Sequence, residues 1–181
     1  LNANTSQDRT FYYELLPSNQ LELGLWLESE RMLHAKIQQI GIDTQNEVVK
    51  EEKRQRVDNA PYGSMIAETM DACYDVHPYQ WTPIGSMEHL DASTHADFMD
   101  FYDTFYVPNN ATLSIAGDMD LESAKQLVEK YFQDIPKGTK AIPRPTQVEP
   151  KRNEERRSIV YGKDRIPVVI QAYPIPAQGT P

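Results

Sequence analysis

A single cysteine, Cys73, stands in the 181-residue chain, so no internal disulfide can form. Flanked by Met70 and Tyr74 in ETMDACYD, it reads as a small apolar filler rather than a reactive thiol. Apolar runs are also short: none approaches the ~20 residues that cross a bilayer. The opening LNANTSQDRT is polar where a signal peptide would carry an apolar stretch. Positive charge is scarce, with 18 basic against 27 acidic residues and a net charge of −9. That balance argues against a nucleic-acid backbone as partner and disfavours anionic membranes. Familiar catalytic signatures are missing too. There is no G-x-S-x-G, P-loop or dinucleotide fingerprint, and one glycine after a strand in IAGDMD is too little to cradle a phosphate. Neither H-E-x-x-H nor H-x-x-E-H occurs. The four histidines, His34, His77, His89 and His95, include no i,i+4 pair that would set two imidazoles on one helical face. These residues alone do not build a complete metal site.

What is present is an ordinary globular composition: 39% hydrophobic, 9% aromatic and 25% charged. The length suits one domain, or one domain plus part of another. The chain opens without methionine, directly in patterned sequence, which leads us to expect a piece of a longer precursor whose address for a compartment is not legible here.

Along the chain, TFYYELL at 10–16 reads as a strand halted by Pro17. Ser18 is a candidate N-cap for an amphipathic helix over 19–35, with Leu21, Leu25, Met32 and Leu33 near a helical period. Asp43 or Thr44 is expected to cap the next helix, which carries Val48, Val49, Glu52 and Val57 and is interrupted at DNAPYG. A helix over 62–74 and an ordered loop through DVHPYQWTPIGSMEHLDAS follow. Ser93 is then taken as the cap of a helix with Phe98, Tyr102 and Phe105 on one face, closed by Pro108. ATLSIAGD reads as a strand running into a helix with Leu127, Val128, Tyr131 and Phe132 inward. The organisation expected is a domain over 1–136, a linker over 137–153 rich in Pro, Lys and Thr, and paired strands over 154–181 leading into a further domain. No internal repeat is present.

One pair of carboxylates stands out. Glu51 and Glu52 lie in EEKRQR, and such a charge run is ordinarily a solvated helix face. Helical geometry separates them, however. Glu52 lies four residues beyond Val48 and three beyond Val49, so it shares their face, whereas Glu51 falls about 100° away with Glu47. A carboxylate on an inward face needs a partner.

Four stretches, NANTSQDRTFYYELLPSNQLELGLWLESERM, NEVVKEEKRQRVDNAPYG, HPYQWTPIGSMEHL and FYDTFYVPNNATLSIAGDMDLESAKQLVEKYFQDIP, together resemble the pitrilysin/insulinase family of zinc metallopeptidases, the inverted H-x-x-E-H group, in its bacterial, processing-peptidase-like branch. They follow the family's order across about 1–136. The resemblance implies an α+β fold, with helices packed against a mainly antiparallel sheet. In such enzymes two motif histidines and a distant glutamate bind zinc, and the motif's own glutamate acts as general base on the metal's water. The distant glutamate falls on Glu52, which leaves Glu51 at the surface. A supporting acidic residue seven positions earlier is Gln45 in this chain, an amide that can hydrogen-bond but adds no negative charge. Substrate peptide is implied to add to the edge of the strand holding Asn2 and Ala3. Because H-x-x-E-H is absent, the expectation is a fragment of a zinc endopeptidase of peptides or unfolded polypeptides, inactive by itself. The alternative is a non-catalytic member acting as structural or substrate-gripping partner of an active subunit. A second lobe or partner subunit, and a periplasmic or cell-envelope location, are further implications of the resemblance.

Overall fold

Helices and one small antiparallel sheet make up the computed structural model, which describes residues 1–163, 165–177 and 179. Strands β1 (Asn2–Thr5) and β2 (Thr10–Tyr13) pair with Asn2 opposite Tyr13 and Thr5 opposite Thr10. Ser6 N–H donates to the Arg9 carbonyl at 2.8 Å to close the loop between them. The expected strand over 10–16 therefore stops at Tyr13, because β1 supplies no ladder partner for Glu14 to Leu16. The helices are α1 (Leu21–Leu33), α2 (Gln39–Lys53), α3 (Met65–Cys73), α4 (Met87–Ala92), α5 (His95–Phe105) and α6 (Leu121–Phe132). The fold is α+β, as expected.

The chain divides into two units, one of Leu1–Asp43 with Ser93–Pro143, the other of Thr44–Ala92 with the residues from Arg144 onward. In the first, α1 packs on α6. Leu25 and Ala124 are buried there, and the small side chain of Ala124 is what a close helix approach requires. Glu22 fastens the rim, accepting from Lys130 Nζ at 2.6 Å and Tyr131 Oη at 2.8 Å. Tyr12 and Tyr106 meet hydroxyl to hydroxyl. Arg31 lies over the Tyr12 ring, 4.0 Å from its centroid, while forking onto Glu28 with two 3.0 Å hydrogen bonds. Burial pushes the Tyr106 phenol well above its usual range. Tyr102 Oη donates to the Arg31 carbonyl at 2.6 Å, tying α5 to the end of α1.

In the second unit a π-helical turn, Arg54–Asp58, continues α2. Tyr62 then takes a positive φ of 54°, and a Cβ on Gly63 would sit 2.1 Å from the Val57 carbonyl oxygen. Only glycine fits there. The left-handed Tyr62 also explains why α3 starts at Met65 rather than at 62 as expected.

Several other expectations are corrected. The helix holding Glu52 begins at Gln39, not after Asp43 or Thr44. Gln39 Nε2 donates to Asp43 Oδ1 at 2.7 Å, an i,i+4 pair that places Asp43 inside the helix. The segment expected as an ordered loop contains α4. Thr94, not Ser93, caps α5, in a reciprocal capping box with Asp97. ATLSIAGD and the stretches RRSIVYG and RIPVVIQAYPIP take no strand partner among the described residues and so form no ladder there. Part of the second of those stretches' neighbourhood, residue 164, lies outside the described residues, as do residues 178, 180 and 181.

Candidate functional site

The site residues inferred from sequence fall into both units. Glu52 and Gln45 lie on α2 in the second, seven residues and so about two turns apart on one helical face. That spacing of about 10 Å along the axis is too long for a direct hydrogen bond. Gln45 is exposed. Asn2 and Ala3 lie on β1 in the first unit, opposite Tyr13 and Tyr12. Ala3 N–H, a group that an added peptide strand would use, donates instead to Oδ1 of Asn2 at 2.8 Å.

The side chains of Glu51 and Glu52 differ as the helical geometry requires, though less sharply. Glu52 is 39% exposed and Glu51 55%. The inner stripe of α2 runs through Ile42, Asn46, Val49 and Lys53, whereas Val48 is 52% exposed. Glu52 thus flanks the stripe instead of lying within it, and the Val48 half of the face argument is corrected. Its carboxylate has a partner: Arg56 Nη1 stands 2.6 Å from Oε1, reaching back from the π-turn. Such turns recur at functional positions in helices. Glu51 is engaged on the other side by Gln55 Nε2 at 2.9 Å and Arg54 Nη1 at 3.4 Å, and these hold its carboxyl below the usual carboxylate range. Lys50 links α2 to the end of α4 through Asp91 at 2.6 Å, and Asn46 Nδ2 donates to the Leu90 carbonyl at 3.3 Å. These contacts position the helix that carries Glu52.

Zinc needs about four donors in tetrahedral array. Among the described residues no group of three or more His, Cys, Asp or Glu side chains comes together. Three of the histidines are committed elsewhere: His34 Nδ1 to Glu30 at 2.8 Å, His95 Nε2 to the Ile37 carbonyl at 2.8 Å, and His77 Nδ1 to Tyr79 N–H at 3.2 Å. The described residues therefore do not by themselves fit a zinc ion; Glu52 offers one carboxylate and no second ligand beside it.

Residues 93–181 match the Peptidase M16 inactive domain. The zinc protease PqqE of Helicobacter pylori is 34% identical over 179 residues, which is 97% of this chain and 40% of that protein. A protease from Helicobacter pylori of known crystal structure superposes with a TM-score of 0.79 at 34% identity, over 82% of this chain and 36% of that one. A mutant of the ferredoxin protease FusC in complex with Arabidopsis ferredoxin gives 0.72 at 27%, over 82% and 16%. The first half of the periplasmic protease PqqL from Escherichia coli gives 0.68 at 25%, over 84% and 32%. The chain belongs to the M16, or pitrilysin/insulinase, peptidase family. It spans well under half the length of these relatives.

Contacts of Glu52 with Arg56 and of Ala3 with Asn2 were not anticipated from sequence. The first had a legible signal, since Arg56 lies four residues beyond Glu52. The second had none, because it depends on which strand edge lies open.

Proposed function

We propose that this chain is part of a zinc-dependent endopeptidase acting on peptides or unfolded polypeptides, and that Glu52 supplies one carboxylate to its metal. What carries the reading is the 34% identity to a zinc protease along 97% of the chain, together with the sequence resemblance that puts the family's distant ligand at Glu52, on α2. The remaining ligands and the general base belong to sequence beyond these residues. The isolated chain is inactive and holds zinc weakly at best. Asn2 and Ala3 pair with substrate backbone once the Asn2 side chain gives up the Ala3 N–H, and Gln45, too far from Glu52 for a direct hydrogen bond, supports the site by bonding another of its groups through the side-chain amide. A second lobe or partner subunit completes the substrate chamber. The periplasmic relative favours a cell-envelope location. No described helix is long and apolar enough to cross a membrane.

The match of residues 93–181 to an inactive domain favours a second reading, a non-catalytic member that grips substrate for an active subunit. One experiment separates the two. The full-length protein is assayed on an unstructured peptide with and without chelator, and its zinc content is measured by mass spectrometry, for wild type and Glu52→Gln. We expect chelator to abolish hydrolysis and the substitution to remove both zinc and activity. A wild type that is inert and metal-free supports the partner reading, and a substituted protein that keeps zinc and full activity places Glu52 at the ordinary surface.

A further inference from the structure

The segment over 137–153 reads from sequence as a plain linker, yet its second half is docked. The Glu149 carboxylate accepts from three successive backbone N–H groups, those of Asp75 at 2.7 Å, Val76 at 3.1 Å and His77 at 3.0 Å. A run of N–H groups converging on one carboxylate is an anion nest. Arg152 donates to the Ala72 carbonyl and, at 2.8 Å, to Asp75 Oδ2. Arg156 donates to the same carbonyl at 3.2 Å and to Asp75 Oδ1 at 2.9 Å. The Ala72 carbonyl lies in the last turn of α3, where helical hydrogen bonding runs out. Both guanidinium groups therefore supply donors that the helix end lacks, while the carboxylate satisfies the N–H groups just beyond it. Glu149 and Arg152 are mostly covered, with 20% and 27% of their side chains exposed. The residues that follow are open: Ile159 is 78% exposed, Tyr161 92% and Val169 86%.

Isolated surface ion pairs contribute little, but a network of charge-assisted bonds in which one carboxylate takes three donors and two guanidinium groups share one carboxylate is a different object. We propose that residues 149–156 form a releasable ionic clasp on the C-terminal end of α3, which anchors the connector there. Its parts are separable from the structural core of the unit, since none of them is an apolar packing residue.

Hydrogen exchange at the amides of residues 75–77 and limited trypsin digestion of the protein test this together. In wild type, cleavage after Arg152 is expected to be several-fold slower than after the exposed Arg165, and about 0.5 M sodium chloride, which shortens the screening length to a few ångströms, is expected to erase much of that difference. Glu149→Gln is expected to speed both exchange at 75–77 and cleavage after Arg152 several-fold, with Trp81 fluorescence unchanged. Lys151→Ala, a charge change in the same segment outside the network, is expected to do neither. Equal, salt-insensitive cleavage after Arg152 and Arg165 in wild type would overturn the clasp, as would unchanged exchange in folded Glu149→Gln. Should that variant unfold, the salt dependence of the wild type decides alone.

Discussion

The two units are built from similar helices and held in different ways. Every deeply buried side chain, Leu25, Ile42, Val107, Ala124 and Ile135 together with Ser29 and Thr104, belongs to the first unit. The second has none among the described residues, and what fastens it is charge: Lys50 to Asp91, Lys53 to Asp58, and Arg152 and Arg156 to Asp75. The first unit adds to its ion pairs the exclusion of water from apolar surface, an interaction with no charge of its own to titrate or screen. The second rests on interactions that salt screens and acid neutralises. Residues 44–53 of α2, Glu52 among them, fall in the charge-held unit, whereas the start of that helix, with buried Ile42, falls in the first.

The chain carries one tryptophan in each unit, Trp26 and Trp81, so Trp81→Phe and Trp26→Phe backgrounds report the units separately. The largest expected effect is that of Leu25→Ala, which empties a site 3% exposed and should cost about 3 kcal/mol. Urea unfolding followed at Trp26 reads it. An equal shift at Trp81 would show that both units unfold as one and would erase the distinction. Gly63→Ala comes next. Its methyl would press on the Val57 backbone 2.1 Å away, for a cost of about 2 kcal/mol expected at Trp81 and not at Trp26.

The smallest expected effect is the sharpest in sign. Hydrogen bonds from Arg152 and Arg156 hold the Asp75 carboxyl below its ordinary range, and backbone N–H donors hold Glu149 low despite its partial burial. The stability these groups add is present above the unfolded carboxylate value of about 4 and is lost as pH falls through the lowered folded value. Glu14 in the first unit behaves oppositely. Both its carboxylate oxygens are buried without a hydrogen-bond partner, and burial, then the neighbouring Glu28 carboxyl, push its pKa up. A raised carboxyl favours folding below its unfolded value and loses that contribution as pH rises through the folded one. Acidification from neutrality should therefore first firm the first unit, and only below about pH 4 loosen the second. Glu14→Gln should abolish the first of these responses and leave the second. Denaturation midpoints at the two tryptophans across that range check both, and parallel curves would remove the electrostatic half of the comparison.

Much of this architecture was legible beforehand where its causes are local. The helical period of Leu21 and Leu25 marked α1, and that of Leu127, Val128, Tyr131 and Phe132 marked α6. Strands were less legible. ATLSIAGD has the alternation of a strand, but a strand exists only through a partner's N–H and C=O groups, and none of the described residues supplies them. The candidate site divides in the same way. That Glu52 rather than Glu51 turns toward the covered side follows from 100° per residue, while the exposure of Val48 and the grip of Arg56 depend on what packs around α2 and on the π-turn after it.

The linker illustrates the limit. Its prolines and lysines read as a connector in the sequence, and nothing within it reveals that Glu149 closes on backbone 74 residues earlier in the chain. By itself the sequence determined most of the helices, the acidic balance, the family and the helix face on which Glu52 lies, because each follows from neighbours within a turn or two or from a pattern carried along the chain. Tertiary structure alone decided which helix ends found partners, which carboxylates were left buried without one, and which unit received the apolar core. Those outcomes depend on residues far apart in sequence, whose pairing no local propensity encodes.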